Sequence, residues 1–103
     1  ELKIMPYNKQ CSYFVFQLFC KNNTTRNKLI KYLKIKKIGF SIHYLTPLHL
    51  MSFYKKKYFY KPESLSNSEN YGETNISLPV YPKLDLKSLD YIIQNLNLFF
   101  KKK

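Results

Sequence analysis

The 103-residue sequence carries 18 Lys+Arg against 6 Asp+Glu, for a formal net charge of +12, with 45% hydrophobic and 17% aromatic residues but two glycines and two cysteines. A chain of this length fits one domain with a modest core, and no apolar run approaches the roughly 20 residues needed to span a bilayer, so a membrane role is not expected. Arg26 is the sole arginine; the scattered lysines read as a solvated surface and speak against a nucleic-acid module, which relies on bidentate guanidinium contacts.

Residues 1–10 show neither the apolar run nor the small-residue cleavage site of a signal peptide, and the chain reads as truncated ahead of Glu1. Cys11 to Cys20 is rich in aromatic and β-branched residues and predicts a central strand. At strand rise its two thiols lie about 30 Å apart, too far to pair. Without a nearby histidine pair they make a poor zinc site, and they suit a reduced, cytoplasmic protein. Thr24 or Thr25 is the expected cap of a helix over 25–36, with Leu29, Ile30 and Leu33 as its apolar stripe and Lys34, Lys36 and Lys37 near its negative end.

Residues 39–44 read as a second strand ended by Pro47, and the aromatic, lysine-rich stretch 44–61 shows no period and reads as irregular. Ser66 and Glu69 have capping-box spacing for a helix over 66–74. A brief strand, Ile76 to Leu78, then stops at Pro79, and Pro82 keeps the following residues extended. Asp85 is a good cap for a last helix over 86–99 with an apolar face, and Lys101 to Lys103 form a solvated tail. The expected core is Phe14, Phe16, Leu18, Leu29, Leu33, Ile42, Ile76, Leu78, Leu89, Ile92, Ile93 and Leu96. The order predicts an α+β fold, a small sheet covered by helices, in one domain over 1–103.

Two glycines cannot build a Gly-rich phosphate loop, and neither nucleotide-binding signature is present. Glu63, Glu69 and Glu73 suit capping and solvation rather than paired acid/base work. The distinctive cluster is Ser41-Ile42-His43-Tyr44 with Pro47 and His49, two imidazoles and a phenol at a strand end, where sites commonly lie. A hydrogen-bonded core His43 beside a packed Tyr44 accounts for the same residues.

The stretch from Lys36 to Tyr60, with its H-Y-x-x-P-x-H order, together with Ser68-Glu-Asn-Tyr71 and Ile76-Ser-Leu-Pro79, resembles the C-terminal domain of the DegT/StrS family of sugar aminotransferases over about residues 11–100. The resemblance implies the small domain of a fold-type-I enzyme that moves an amino group from glutamate to a UDP-linked 4-keto-6-deoxy sugar. It implies PLP in the complete enzyme, not bound by this chain alone, and a homodimer. The family's large domain supplies the Schiff-base lysine, so no catalytic residue is expected here. Ser41, Ile42, His43, Tyr44 and His49 are implied as substrate contacts. The sequence departs from the family in three places: its S-Y-H is Ser12-Tyr13-Phe14, Lys37 stands where a glycine commonly closes the helix, and its Q-P-Y-Y is Met51-Ser52-Phe53-Tyr54. The alternatives are a non-catalytic interaction domain derived from the enzyme and a basic nucleic-acid-binding module.

Overall fold

The computed structural model describes residues 2–101. Its sheet has three antiparallel strands in the order β1-β2-β3: β1 (Leu2–Ile4), β2 (Phe16–Cys20) and β3 (Asn75–Leu78). The pairing Leu18↔Ile76 and Ile4↔Leu18 sets the register. Because side chains alternate along a strand, Leu18 and Ile76 turn to the helical side and are buried, while Gln17, Phe19, Asn75 and Ser77 belong to the other face. β1 went unforeseen because three residues are too few for alternation to register. β2 begins at Phe16 rather than near Cys11, since a turn at Asn8–Cys11 and a positive φ at Tyr13 interrupt the extended chain. Phe14 consequently lies outside the strand and is 80% exposed, not part of the core.

Helix α1 (Asn23–Ile35) buries Leu29 and Leu33 against the sheet. Its cap is Asn22, not Thr24 or Thr25: Asn22 is extended and its side chain accepts from Thr25 N–H at 2.8 Å. The helix ends in two reverse bonds, Lys37 N–H to the Lys34 carbonyl (3.1 Å) and Ile38 N–H to the Leu33 carbonyl (2.9 Å). Lys37 takes the left-handed conformation at φ 56° that this Schellman ending requires. Ile38 beyond it is buried with Leu33.

Residues 39–44 do not form a strand. Ser41 alone bridges Ser77, through reciprocal backbone bonds of 3.0 and 2.7 Å. Beyond it the backbone groups of His43 are taken by side chains, its N–H by Asn75 Oδ1 (3.2 Å) and its carbonyl by Gln17 Nε2 (2.6 Å), so no ladder continues. Ile42 is accordingly half-buried rather than a core residue. The stretch expected to be irregular holds a 3-10 turn, Leu48–Leu50, and a helix α2 (Ser52–Tyr58). α2 buries no residue, which is why no apolar stripe announced it. Its surface contacts run along one side: Tyr54 stacks on Tyr58 and Lys57 Nζ lies 5.7 Å from the Phe53 ring centre.

Helix α3 (Ser66–Thr74) starts from Leu65, which makes no side-chain cap hydrogen bond, so the reciprocal box expected of Ser66 and Glu69 does not form and Ser66 is the first helical residue. The Glu69 carboxylate still serves the helix start, accepting from Leu65 N–H at 3.0 Å and from Glu63 N–H at 2.6 Å. Helix α4 (Leu86–Lys101) begins where expected, with Asp85 Oδ1 accepting from Ser88 N–H at 2.6 Å. It buries Ile92 and Leu96. Leu89 and Ile93, both expected in the core, are instead 38% and 46% exposed beside an apolar groove of about 530 Å³ between α4 and the sheet. Lys101, expected in the tail, is the last residue of α4, and the rest of the tail lies outside the described residues.

Candidate functional site

The sheet face turned away from α1 and α4 is polar, and it organises the residues singled out from the sequence. Tyr71 on α3 donates its hydroxyl to Gln17 Oε1, and Asn75 Nδ2 donates to the Tyr71 carbonyl at 2.7 Å. Gln17 and Asn75 each hold one backbone group of His43. The imidazole Nδ1 is 3.0 Å from Ser77 Oγ, with Ser41 Oγ at 3.4 Å. His43 is therefore fixed at backbone and ring together, and its Nε2 has no hydrogen-bond partner among the described residues. This joins the two sequence readings of His43: it is a satisfied, half-buried residue, and one ring nitrogen stays available.

Arg26 reaches the same layer from α1. It is 3% exposed, and its guanidinium donates to the carbonyls of Gly72 (3.0 Å) and Asn75 (3.3 Å). These are oxygens at the carboxyl end of α3, where the helix dipole favours a cation, so the buried charge is met without a carboxylate. Gly72 has its own constraint, because a Cβ there would come within 2.5 Å of the Leu45 carbonyl oxygen. The close approach lets the chain after His43 lie against α3.

Tyr44 stands edge-on to the His43 ring at 5.4 Å and is 68% exposed, rather than packed as one sequence reading had it. It forms one wall of an open groove of about 810 Å³ whose other walls include Pro47, His49, Tyr54, Tyr60 and Tyr71. Asn67, Ser68 and Thr46 supply polar groups there. His49 is buried in the wall, its Nε2 3.2 Å from Glu69 Oε2 and its ring edge-on to Tyr60. Glu69 is held below the ordinary carboxylate range, chiefly by the Glu63 N–H, with Leu65 N–H and His49 adding to it against partial desolvation.

Of the implied contacts, Tyr44 and His49 share the groove, while Ser41, Ile42 and His43 lie at the sheet edge beside it. Gln17, Tyr71, Asn75, Ser77 and Arg26 were not identified from the sequence. The usable signal was alternation: Gln17 between Phe16 and Leu18, and Asn75 and Ser77 around Ile76, mark a polar sheet face. Chemically the arrangement can bind and orient a ligand through rings, hydroxyls and one imidazole. Among the described residues no group of His, Cys, Asp and Glu could hold a metal ion.

The DegT/DnrJ/EryC1/StrS aminotransferase family model matches residues 1–97. The spore coat polysaccharide biosynthesis protein SpsC of Bacillus subtilis is 35% identical over 75 residues, 72% of this chain and 19% of SpsC. A DegT DnrJ EryC1 StrS aminotransferase from Brucella abortus superposes with a TM-score of 0.80 at 27% identity, covering 95% of this chain and 26% of that one. A chain described as a sugar aminotransferase, Spr1654 from Streptococcus pneumoniae in its PLP form, gives a TM-score of 0.84 at 23% identity, a likeness of fold. It covers 98% of this chain and 26% of that one. The chain thus spans about a quarter of the solved structures it matches.

Proposed function

This chain belongs to the DegT/DnrJ/EryC1/StrS aminotransferase family, and from that premise we propose that it is the C-terminal small domain of a PLP-dependent sugar aminotransferase. Its substrate is a UDP-linked 4-keto-6-deoxy sugar aminated from glutamate, as the resemblance of Glu69-Asn-Tyr71 and Ile76-Ser-Leu-Pro79 to UDP-4-amino-4,6-dideoxy-N-acetyl-altrosamine transaminase suggests. The single observation that carries the reading is the family match over nearly the whole chain, joined to a groove at the segment the family devotes to substrate.

The residues present do not fit PLP by themselves. No lysine lines the aromatic groove, and no lysine among the described residues is buried, whereas a Schiff-base lysine needs enclosure to be tuned. The cofactor and the reacting lysine belong to the remaining three quarters of the enzyme, and the apolar groove beside Leu89 and Ile93 suits a surface that this remainder covers. What this chain's residues do is bind and orient. His43 Nε2 and the Tyr44 hydroxyl meet sugar or phosphate oxygens, and the tyrosine rings of the groove exclude water from the bound ligand.

The test replaces the corresponding segment of a full-length family enzyme with residues 41–49 and then introduces His43→Ala or Tyr44→Phe. Turnover of the UDP-sugar should fall roughly 2- to 150-fold, the range spanned by one hydrogen bond to a neutral or a charged oxygen. The PLP spectrum and the glutamate half-reaction should persist. Unchanged sugar turnover in both variants would remove the assignment.

A further inference from the structure

We infer that Ser77 fixes the tautomer of His43, so that the neutral imidazole carries its proton on Nε2 and presents a hydrogen-bond donor to its ligand. The argument is one of proton accounting. Ser77 is 2% exposed and its Oγ has a single hydrogen-bond partner among the described residues, His43 Nδ1 at 3.0 Å. A hydroxyl brings one proton, and a buried proton left without an acceptor is disfavoured. If Nδ1 carried the hydrogen, Ser77 would have to accept, and its own proton would have nowhere to go. Only donation from Ser77 to a bare Nδ1 satisfies both groups.

Ser41 does not alter this balance. Its Oγ also faces Nδ1, at 3.4 Å, but it is exposed and its hydroxyl proton can turn to water. The rest of the ring's setting is rigid, because Asn75 and Gln17 hold the backbone of the same residue. Ser77 is in turn pinned by its two backbone bonds to Ser41. With Nδ1 occupied, the outward Nε2–H selects an oxygen acceptor, a phosphate, hydroxyl or carbonyl oxygen, over a donor. That last step rests on the substrate reading above; the tautomer does not. Ser77 is thus a positioning residue that acts through His43.

The tautomer can be read on the chain as it stands. Long-range proton–nitrogen correlation spectra of ¹⁵N-labelled protein, above the pH at which the imidazoles titrate, distinguish pyrrole-type from pyridine-type nitrogens, and His43→Asn identifies which of the two rings is which. The expected pattern is pyrrole-type Nε2 and pyridine-type Nδ1 for His43. Ser77→Ala should lower the tautomer ratio roughly 2- to 12-fold, the equivalent of one neutral hydrogen bond, while Ser77→Thr should restore it. Pyrrole-type Nδ1 in the parent chain, or a ratio unmoved by Ser77→Ala in a variant whose spectrum remains dispersed, overturns the inference. Failure of the sugar-turnover test would leave these spectra as they are, so the two claims fail separately.

Discussion

Glu69 Oε2 lies 3.2 Å from His49 Nε2, and the same carboxylate accepts the backbone N–H groups of Glu63 and Leu65. One side chain on α3 therefore ties down the 3-10 turn and the loop before the helix, two walls of the aromatic groove. Its pKa is lowered in the folded chain from the usual 4.5, first by the Glu63 N–H. A depressed carboxylate stabilises the fold above its unfolded pKa and loses that contribution as pH falls through the folded value. We expect the urea midpoint to decline as pH drops from about 4.5 downward, and Glu69→Gln to flatten part of that slope while lowering the midpoint at neutral pH. Asp85, also lowered by its bond to Ser88, acts in the same direction and remains in both proteins. A Glu69→Gln midpoint that matched the parent at neutral pH would show that the carboxylate does not hold these walls.

Lys37→Gly should stabilise the chain. Left-handed backbone costs a side-chain-bearing residue roughly 1–2 kcal/mol, and glycine's extra chain entropy returns roughly 0.5–1 kcal/mol of that. The net gain is about 0.5–1 kcal/mol, or a rise of roughly 2–8 °C in thermal midpoint for a chain of this size. Calorimetry decides it, and a lower midpoint would mean that Lys37 makes an interaction outweighing its φ of 56°.

How much of this was legible in the sequence depended on whether an element signs itself locally. Asp85 and the spacing of Ile92 and Leu96 gave α4, and Leu29 with Leu33 gave α1, because a cap and a buried stripe are written in adjacent residues. The misplaced strand over 39–44 failed for a tertiary reason. Asn75 and Gln17, distant in sequence, supply the partners that a ladder would have given His43. α2 escaped notice because it buries nothing. Leu89 and Ile93 have correct helical spacing, yet the surface they face is not in this chain's own core. At the site, the residue cluster was visible and alternation marked Gln17, Asn75 and Ser77 as one polar sheet face, but the pairing of Ser77 with the His43 ring and of Tyr71 on α3 with Gln17 joins residues 34 and 54 positions apart, which no local pattern records.

Arg26→Met should be strongly destabilising. It removes the donors to the Gly72 and Asn75 carbonyls and leaves oxygens at the end of α3 without that cation. Hydrogen bonds to a charged group are worth about 1.5–3 kcal/mol each, and partial rescue by water makes a total loss of about 3 kcal/mol reasonable. Arg26→Lys, which keeps the charge but lacks the planar fork, should fall between the two in denaturant unfolding. A Met variant as stable as the parent would place the guanidinium outside the energetic core of the polar layer.

Gly72→Ala brings the fold and the site into direct conflict. In an unconstrained helix this substitution gains about 1 kcal/mol, but here the new methyl carbon would stand 2.5 Å from the Leu45 carbonyl oxygen and 3.3 Å from that of Tyr44. Both obstacles are backbone atoms, so no rotamer change relieves them, and overpacking of this kind costs typically about 1–3 kcal/mol. The clash should outweigh the helical gain, leaving the variant less stable by up to about 2 kcal/mol. The relief must come from the chain at Tyr44 and Leu45, because Gly72 is anchored on its other side by Arg26. Amide shifts should therefore move most at 44–46 while those of α1 and β2 stay nearly fixed, and in a complete enzyme the KM for the sugar nucleotide should rise more than kcat falls. Should the alanine variant prove more stable, with the amides of 44–46 unmoved, the tight seating of this segment on α3 would be refuted.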